Sequence, residues 1–313
     1  MSRLLVVYAS AILMILVQGC GNKQEHPTKV MAITNNSEIR ETPQVKKIPL
    51  SKEFKSYWYN GQAEISSFEL AQERYGEIRQ GSAVLIYVTE DFLPEKQVKA
   101  DNYSKSNTPI LKLNSTKKFN TGIYPYSIME SSFYPVGQQS HALKVSASVQ
   151  EWCGQAYSQI NNREKFEVKS HSYFETEADQ SFEIEKAPLE NEIWNIIRID
   201  PTKLPTGTFE MVPSLEFARL RHKNIKAYTA NATLENGLYT LVYPELGRKL
   251  VIKYNSDFPY DIQGWEESNT IGYGAQKRIL TSKATRLKSI RSAYWSKNKN
   301  ADLPLRQELM LDQ

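Results

Sequence analysis

Cysteine and histidine are scarce in this 313-residue chain, which has two cysteines and four histidines. Two cysteines cannot build the disulfide framework that holds many small secreted domains together. The histidines, His26, His141, His171 and His222, are far apart in sequence, and no two of them have the spacing of zinc ligands. We therefore expect no metal site, and a domain that is stabilised by its own hydrophobic core.

The motifs of several common enzyme classes are also missing. The chain has no phosphate-binding P-loop, no His-Glu-x-x-His zinc motif and no Gly-x-Ser-x-Gly nucleophile turn. Gly272-Tyr273-Gly274 lacks the third glycine of a dinucleotide-binding loop and is not followed by a helix signal, so it predicts a turn. The sequence thus predicts no bound cofactor.

A strong excess of one charge is missing as well. The formal net charge is +4, and removal of residues 1–19 would take away Arg3 and leave +3. The most basic stretch, 277–299, is offset by an acidic stretch at 175–192. A nucleic-acid-binding domain usually concentrates basic residues on one face. We therefore expect no nucleic-acid partner.

No apolar run is long enough for a membrane-spanning helix. The longest, Leu4–Val17, is interrupted only by Tyr8 and Ser10, whereas a helix needs roughly 20 apolar residues to cross a bilayer. Arg3 precedes this run, and Leu16-Val17-Gln18-Gly19-Cys20 follows and resembles the lipobox of lipoprotein signal peptides. The sequence predicts a signal peptide over residues 1–19. The alternative is an ordinary cleaved signal with a coincidental cysteine.

The lipobox resemblance implies that Cys20 carries acyl chains such as palmitate, which would hold the protein at a membrane. We expect a lipid-anchored protein of the cell envelope, on the inner or the outer membrane. Residues 20–48 are polar and contain no aromatic side chain, which is typical of a flexible tether. The remaining chain divides into a single β-rich domain at 49–300 and a C-terminal tail at 301–313.

Apolar residues alternate with polar ones along much of this domain. The alternation is clean over 143–149 and recurs over 250–254, as expected of half-buried strands. Asn236-Gly237 between two such segments indicates a tight hairpin. Ala83–Val88 is apolar without alternation, which predicts a strand covered on both faces. The fold class is mainly β, a long antiparallel meander that forms a strongly curved sheet or half-open barrel with one covering helix.

The covering helix is predicted over residues 188–199. It would begin at Pro188 and place Leu189, Ile193, Ile196 and Ile197 on one face. Laid on the concave side of the sheet, one short helix leaves room for an apolar pocket. These four side chains are therefore the candidate ligand-facing residues, with a completely filled interior as the alternative.

A catalytic alternative depends on Cys153, the only cysteine left if Cys20 is lipidated. His141 is in phase with core-facing residues of the next strand and is the candidate partner that would hold the thiolate. The favoured interpretation is a buried, structural Cys153 that packs beside Trp152. A second alternative site is Glu90 with Asp91, carboxylates that would close the Ala83–Val88 strand, where hydrated loop charges are the commoner role.

Four stretches of the chain resemble a group of uncharacterised envelope lipoproteins, sometimes labelled septum formation inhibitor Maf. They are Tyr57-Trp58-Tyr59-Asn60-Gly61-Gln62-Ala63-Glu64, Arg74-Tyr75-Gly76-Glu77-Ile78-Arg79, Val88-Thr89-Glu90-Asp91-Phe92 and Lys96-Gln97-Val98-Lys99. The resemblance implies an envelope location over most of the chain. The Maf pyrophosphatases have a Ser-x-Ser-Pro-Arg-Arg motif that is absent here, so their activity is not transferred.

These observations favour a non-catalytic function. The leading hypothesis is a membrane-anchored protein that binds an apolar ligand, a lipidated partner or another envelope protein. An envelope hydrolase or thiol enzyme that uses Cys153 or the Glu90/Asp91 region is the second hypothesis. A structural subunit of an envelope assembly is the third.

Overall fold

A computed structural model of the chain describes residues 48–138 and 140–311. The predicted signal peptide, Cys20, His26 and residues 20–47 of the predicted tether lie outside the described residues. So do the last two residues of the predicted C-terminal tail. The described residues belong to one compact unit, Val45–Gln313.

The period-two segments form strands of a single sheet, fifteen in the described residues. Their bounds are β1 Ala63–Arg74, β2 Glu77–Leu93, β3 Val98–Lys99, β4 Thr108–Thr121, β5 Tyr124–Pro135, β6 Lys144–Glu151, β7 Gly154–Asn162, β8 Phe166–Ser172, β9 Gln180–Ile184, β10 Gly207–Met211, β11 Tyr228–Glu235, β12 Leu238–Tyr243, β13 Arg248–Tyr254, β14 Ile262–Ile271 and β15 Arg278–Ser292.

The strands are neighbours in the order β10-β11-β12-β13-β14-β15-β1-β2-β4-β5-β6-β7-β8-β9, and β3 pairs with β2. Every pair of neighbours is antiparallel, so most connections are hairpins. The pairing of β1 with β15 joins the first and last strands at the middle of the sheet. The sheet is not closed, because β9 and β10 form its two edges. The predicted mainly-β antiparallel meander is confirmed.

Helices are few and short. Their bounds are α1 Lys52–Trp58, α2 Glu190–Ile199, α3 Leu215–Leu220 and α4 Pro304–Glu308, with 3₁₀ turns at Pro201–Lys203, Gly274–Gln276, Tyr294–Ser296 and Asn300–Asp302. The predicted helix at 188–199 is α2, which begins two residues later than expected. Pro188 and Leu189 are extended instead, because the Val212 N–H donates to the Pro188 carbonyl at 2.9 Å. No helix in the described ranges is long and apolar enough to cross a membrane.

The hairpin between β11 and β12 turns at Asn236-Gly237, as predicted. Both residues have positive φ, 44° and 74°. Asn and Gly adopt this conformation at lower cost than other residues, which is why the pair is typical of two-residue hairpins. The alternation in β11 and β12 therefore continues across the turn without a change of face.

Helix α2 packs on one face of the sheet, which we call the inner face, against β4 and β5. The core lies between them and includes Tyr87 and Leu111. On the outer face, Val88 of β2 packs in a separate cluster with Leu309, which directly follows α4. The Ala83–Val88 segment is therefore covered on both faces, as the sequence predicts. Residues 301–311 of the predicted tail pack partly on this outer face.

Candidate ligand-binding groove beside helix α2

Helix α2 packs against the core and also borders a groove. Leu189, just before the helix, and Ile197 are fully buried among core residues. Ile193 and Ile196 belong to the core as well, with exposed fractions of 0% and 9%, and both border a groove of about 840 Å³. All four predicted ligand-facing residues are therefore buried, and the structure places two of them at this groove.

The wall opposite the helix is the segment that enters the domain, Ile48–Phe54. Ile48, Leu50 and Phe54 line the groove. The Ile48 N–H donates to the Gly137 carbonyl at 2.7 Å, and Ser51 Oγ accepts from the Phe54 N–H at 3.0 Å as the N-cap of α1. A Cβ at Gly137 would lie 3.1 Å from the Ile48 carbonyl oxygen, and Gly137 has φ of 70°. Glycine at 137 therefore permits the close approach of this wall.

Charged side chains lie at both ends of the groove. Phe258 and Tyr260 line the end near the C-terminus of α2, together with Lys203 of the 3₁₀ turn. His141 and Glu192 lie at the other end. The groove thus combines apolar and polar side chains, as sites for organic ligands commonly do.

A buried carboxylate, that of Glu192, holds His141 at its end of the groove. Its Nδ1 lies 2.8 Å from Glu192 Oε1. Glu192 also accepts from the Ala142 N–H at 2.6 Å and the Leu189 N–H at 3.2 Å. The contacts with His141 and Ala142 tie the start of α2 to the segment before β6, and the Leu189 contact caps the helix itself. Glu192 therefore orients His141 and supports the end of the groove.

Cys153 is far from His141. It lies in the turn between β6 and β7, whereas His141 precedes β6, so the length of one strand, about 25 Å, separates them. The expectation that Cys153 is buried beside Trp152 is wrong, because both residues are exposed in this turn. A tight hairpin turn places its side chains outside the sheet, which alternation in β6 alone does not reveal. The two residues cannot form a catalytic pair in this structure.

His171 is a nearer neighbour of Cys153, since both line an open surface depression with Asp179. His171 Nδ1 lies 3.3 Å from Asp179 Oδ2. In the described residues Cys153 forms no hydrogen bond with His171. Hydrogen bonding to the Glu151 carboxylate raises the pKa of the Cys153 thiol. The depression therefore disfavours the thiolate that a nucleophilic cysteine requires.

Glu90 and Asp91 lie within β2 near its end, where they pair with Ile110 and Pro109 of β4. Strand β2 continues to Leu93, so these carboxylates do not close it. Lys112 Nζ donates to Glu90 at 2.7 Å, and Asn107 Nδ2 lies 3.4 Å from Asp91 Oδ2. In the described residues, no three His, Cys, Asp or Glu side chains come together in a way that could hold a metal ion.

The inner face of the sheet holds buried ion pairs that the sequence analysis did not find. Arg198 of α2 donates two hydrogen bonds to Glu64 of β1, at 2.6 and 2.7 Å, and both side chains are fully buried. Although burial opposes ionisation, the Arg198 guanidinium lowers the pKa of Glu64. Tyr57 of α1 donates to the same carboxylate at 2.5 Å. The C-terminal half of α2 is thus fixed to the sheet by a bidentate pair.

A second buried pair fixes the start of α2. Arg248 of β13 donates to Glu190 at 2.5 and 2.7 Å and to Glu267 at 2.8 Å, and Tyr243 donates to Glu190 at 2.8 Å. Burial alone would raise the pKa of Glu267, but Arg248 and Lys117 lower it to about 2. Both ends of α2 therefore carry a salt bridge to the inner face.

A third group links α3 to the sheet. Lys117 donates to Glu216 at 2.8 Å. Glu130 accepts from Asn191 Nδ2 and from the Glu216 N–H, both at 2.9 Å. Burial and the neighbouring Glu216 raise the pKa of Glu130 to about 7. The cavity left among these groups is only about 40 Å³. Polar side chains therefore fill the space between α2, α3 and the sheet that these groups border.

Comparisons with known proteins give little further information. No protein-family model and no curated protein matches the chain. A porin-like protein from Bacteroides uniformis is among the solved structures that match. It is 9% identical, with 72% of this chain and 95% of that chain covered and a TM-score of 0.22. At this TM-score the likeness carries no argument about function.

Proposed function

We propose that this chain is a lipid-anchored envelope protein that binds an apolar ligand or the acyl chain of a lipidated partner in the groove beside α2, without catalysis. The observation that carries the proposal is the groove itself. Its volume of about 840 Å³ falls in the range of small-molecule sites, and Ile193 and Ile196 form part of its lining. Covering such apolar surface by a ligand is favoured by the hydrophobic effect.

The position of the groove supports a ligand that comes from a membrane. Its wall begins at Ile48, the last residue of the predicted tether. If Cys20 is acylated, the tether brings this wall within reach of lipid. The resemblance to envelope lipoproteins agrees with this location. Salt bridges attach α2 to the sheet at both ends of the helix. They keep the α2 side of the groove in place when no ligand is bound.

Blocking the groove from its rim tests the proposal. Leu50→Trp would fill the groove from a partly exposed position, and Leu238→Trp is a matched control at an exposed hairpin residue. We expect the wild-type protein to co-purify with extractable lipid and to bind a fluorescent fatty-acid probe. Leu50→Trp should weaken probe binding roughly tenfold, whereas Leu238→Trp should not change it.

Thermal unfolding of each variant separates loss of the site from loss of the fold. Wild-type binding no stronger than that of an unrelated protein would remove the proposal and favour a structural subunit of an envelope assembly. Equal binding by Leu50→Trp and wild type would show that the probe binds elsewhere.

The anchor is tested separately. Replacement of Cys20 by Ser removes the sulfur that would be acylated. We expect an alkaline carbonate wash to release the variant from the membrane fraction, whereas Cys153→Ser should remain there as firmly as wild type. Retention of the Cys20→Ser variant after this wash would contradict the proposed anchor.

A further inference from the structure

Five turns at one end of the sheet each expose one large apolar side chain. In an antiparallel meander, turns alternate between the two ends, so those that follow β1, β4, β6, β8 and β14 lie at the same end. The residues, which we call the turn row, are Tyr75, Ile123, Trp152, Tyr173 and Tyr273, with exposed fractions of 58%, 84%, 69%, 79% and 91%. Such exposure of large apolar residues at one site indicates contact with another surface.

The strand register places neighbouring turns at similar heights. Gly81 of β2 is opposite Phe119 of β4. Counted from this pair toward the same end of the sheet, the β1–β2 turn begins five residues away and the β4–β5 turn begins three residues away. Ser127 of β5 is opposite Gln150 of β6. From this pair, the β4–β5 turn begins four residues away and the β6–β7 turn begins two residues away. Adjacent turns therefore end within about 7 Å of each other along the strands and are spaced by two strands, about 10 Å.

Neighbouring rings support the exposed ones. The Tyr75 and Tyr126 hydroxyls are 2.8 Å apart, and the ring centroids of Tyr124 and Trp152 are 6.5 Å apart. Tyr124 in turn lies 6.1 Å from Tyr126. These contacts hold part of the turn row against the sheet and leave its outer surface accessible. Tyr75 and Trp152 therefore have fixed neighbours in the free protein, which lowers the entropic cost of binding.

We propose that the turn row is a membrane-contacting surface that inserts shallowly into the headgroup region of a lipid bilayer. Tyrosine and tryptophan favour this region because their rings are apolar and their polar tips stay hydrated. Turns 75–76, 122–123, 152–153 and 272–276 contain no charged residue, whereas the turn after β8 carries Glu175, Glu177 and Asp179, which would stay hydrated among the headgroups. Their backbone groups remain in contact with water at this depth, as unpaired backbone polar groups require.

The spacing of the turns favours a fluid lipid surface over a protein partner. Separate protrusions about 10 Å apart would need matching sockets on a protein, whereas lipid headgroups rearrange to fill the gaps between them. The predicted tether enters at Ile48, which pairs with Gly137 at the opposite end of β5. Residues 21–47 could span up to about 90 Å when extended, so the contact is compatible with a lipid anchor and distinct from it.

Vesicle binding by the mature chain with Cys20→Ser tests the proposal, because its own lipid cannot then contribute. Vesicles of phosphatidylethanolamine and phosphatidylglycerol are sedimented with three proteins. One has the turn row intact, one has all five residues replaced by serine, and one has Tyr103→Ser as the control. Tyr103 is 80% exposed in the loop before β4, at the opposite end. The five-serine variant should bind roughly tenfold more weakly, and Tyr103→Ser should bind like the intact protein.

Trp152 provides a readout that is independent of global stability. Brominated phosphatidylcholine in the vesicles should quench tryptophan fluorescence in the intact protein and much less in Trp152→Phe, which keeps an aromatic ring. Absence of vesicle binding by the intact protein, or equal loss in Tyr103→Ser, would overturn the proposal. Dimerisation without lipid that is lost in the five-serine variant would also overturn it and assign the row to a second copy of the chain.

Discussion

The two sides of helix α2 differ in what fills the space beside them. On the inner side, salt bridges occupy the room between helix and sheet and leave about 40 Å³. On the side that borders the groove, apolar and charged residues together surround about 840 Å³. The helix is thus held to the sheet by charged groups, and space for a ligand lies beside it. When a helix covers a wide sheet, the largest space for a ligand can lie beside the helix and not between the helix and the sheet.

The inner side also explains how the groove can exist without a ligand. Arg198 and Glu190 lie near opposite ends of α2, and each forms a bidentate pair with a strand residue, Glu64 and Arg248. Bidentate pairs between guanidinium and carboxylate restrict orientation more than apolar packing does. We infer that these pairs fix the helix, so that Ile193 and Ile196 keep their positions.

The largest expected effect comes from breaking a buried pair. Arg198→Met leaves the Glu64 carboxylate buried without its cation, and we expect a loss of about 3–5 kcal/mol in the free energy of unfolding. Chemical denaturation of the two proteins measures this. The double variant Glu64→Leu/Arg198→Met removes both charges and should recover most of the loss. A single variant as stable as wild type would show that the pair does not fix α2.

Neighbouring isoleucines of α2 test the two sides directly. Ile197→Ala creates a cavity in the core, and we expect a loss of about 2–4 kcal/mol in the free energy of unfolding. Ile196→Ala enlarges the groove and should cost less, about 1–2 kcal/mol, because one wall is already open. Probe binding should change only in Ile196→Ala once stability is taken into account. Equal costs at both positions would contradict the difference between the two sides.

Much of the fold follows from local patterns in the sequence. The Asn236-Gly237 turn, the alternation in β13 and the helix that contains Ile193 all depend on neighbouring residues, so periodicity and turn chemistry suffice to predict them. The pairing of β1 with β15 does not, because it joins segments more than two hundred residues apart.

The site was harder to predict, because it is made by segments far apart in the chain. Glu64 and Arg248 stand at core-facing positions of their strands, in phase with Phe68 and Leu250. A charged residue in such a position was the signal for a buried pair, but its partner can be identified only from the fold. Ile48, a wall of the groove, lies in a segment without periodicity, where no pattern indicates burial.

The pH dependence of the free energy of unfolding tests the role of the buried polar side chains between α2 and the sheet. The folded-state pKa of Glu130 is raised to about 7, whereas an unfolded glutamate titrates near 4.3. Folding therefore favours the protonated form, and stability falls as the pH rises from about 4.5 to about 7. Glu130→Gln retains an acceptor for Asn191 and cannot ionise. At pH 8 it should be more stable than wild type by about 2 kcal/mol, with little difference at pH 5.

Denaturation between pH 5 and pH 8 measures this difference. The low pKa of Glu267, about 2, keeps that group ionised throughout the range, so it does not contribute to the slope. Glu151→Gln, at the end of β6, is the matched control and should leave the pH profile unchanged. A variant at Glu130 that is destabilised equally at both pH values would show that its role is hydrogen bonding alone.

The smallest expected effect on stability is at Cys153. This residue is not in contact with α2, so it provides a baseline for the comparison between the two sides of the helix. Because the residue is exposed in the β6–β7 turn, Cys153→Ser should unfold at the same denaturant concentration as wild type. A thiol reagent should react with Cys153 in the folded protein, although more slowly than in the unfolded chain, because the Glu151 interaction is lost on unfolding. Glu151 raises the pKa of this thiol, so Glu151→Gln should increase the fraction of thiolate and accelerate labelling at neutral pH. Protection of Cys153 from the reagent in the folded state would restore the buried, structural role that the sequence favoured.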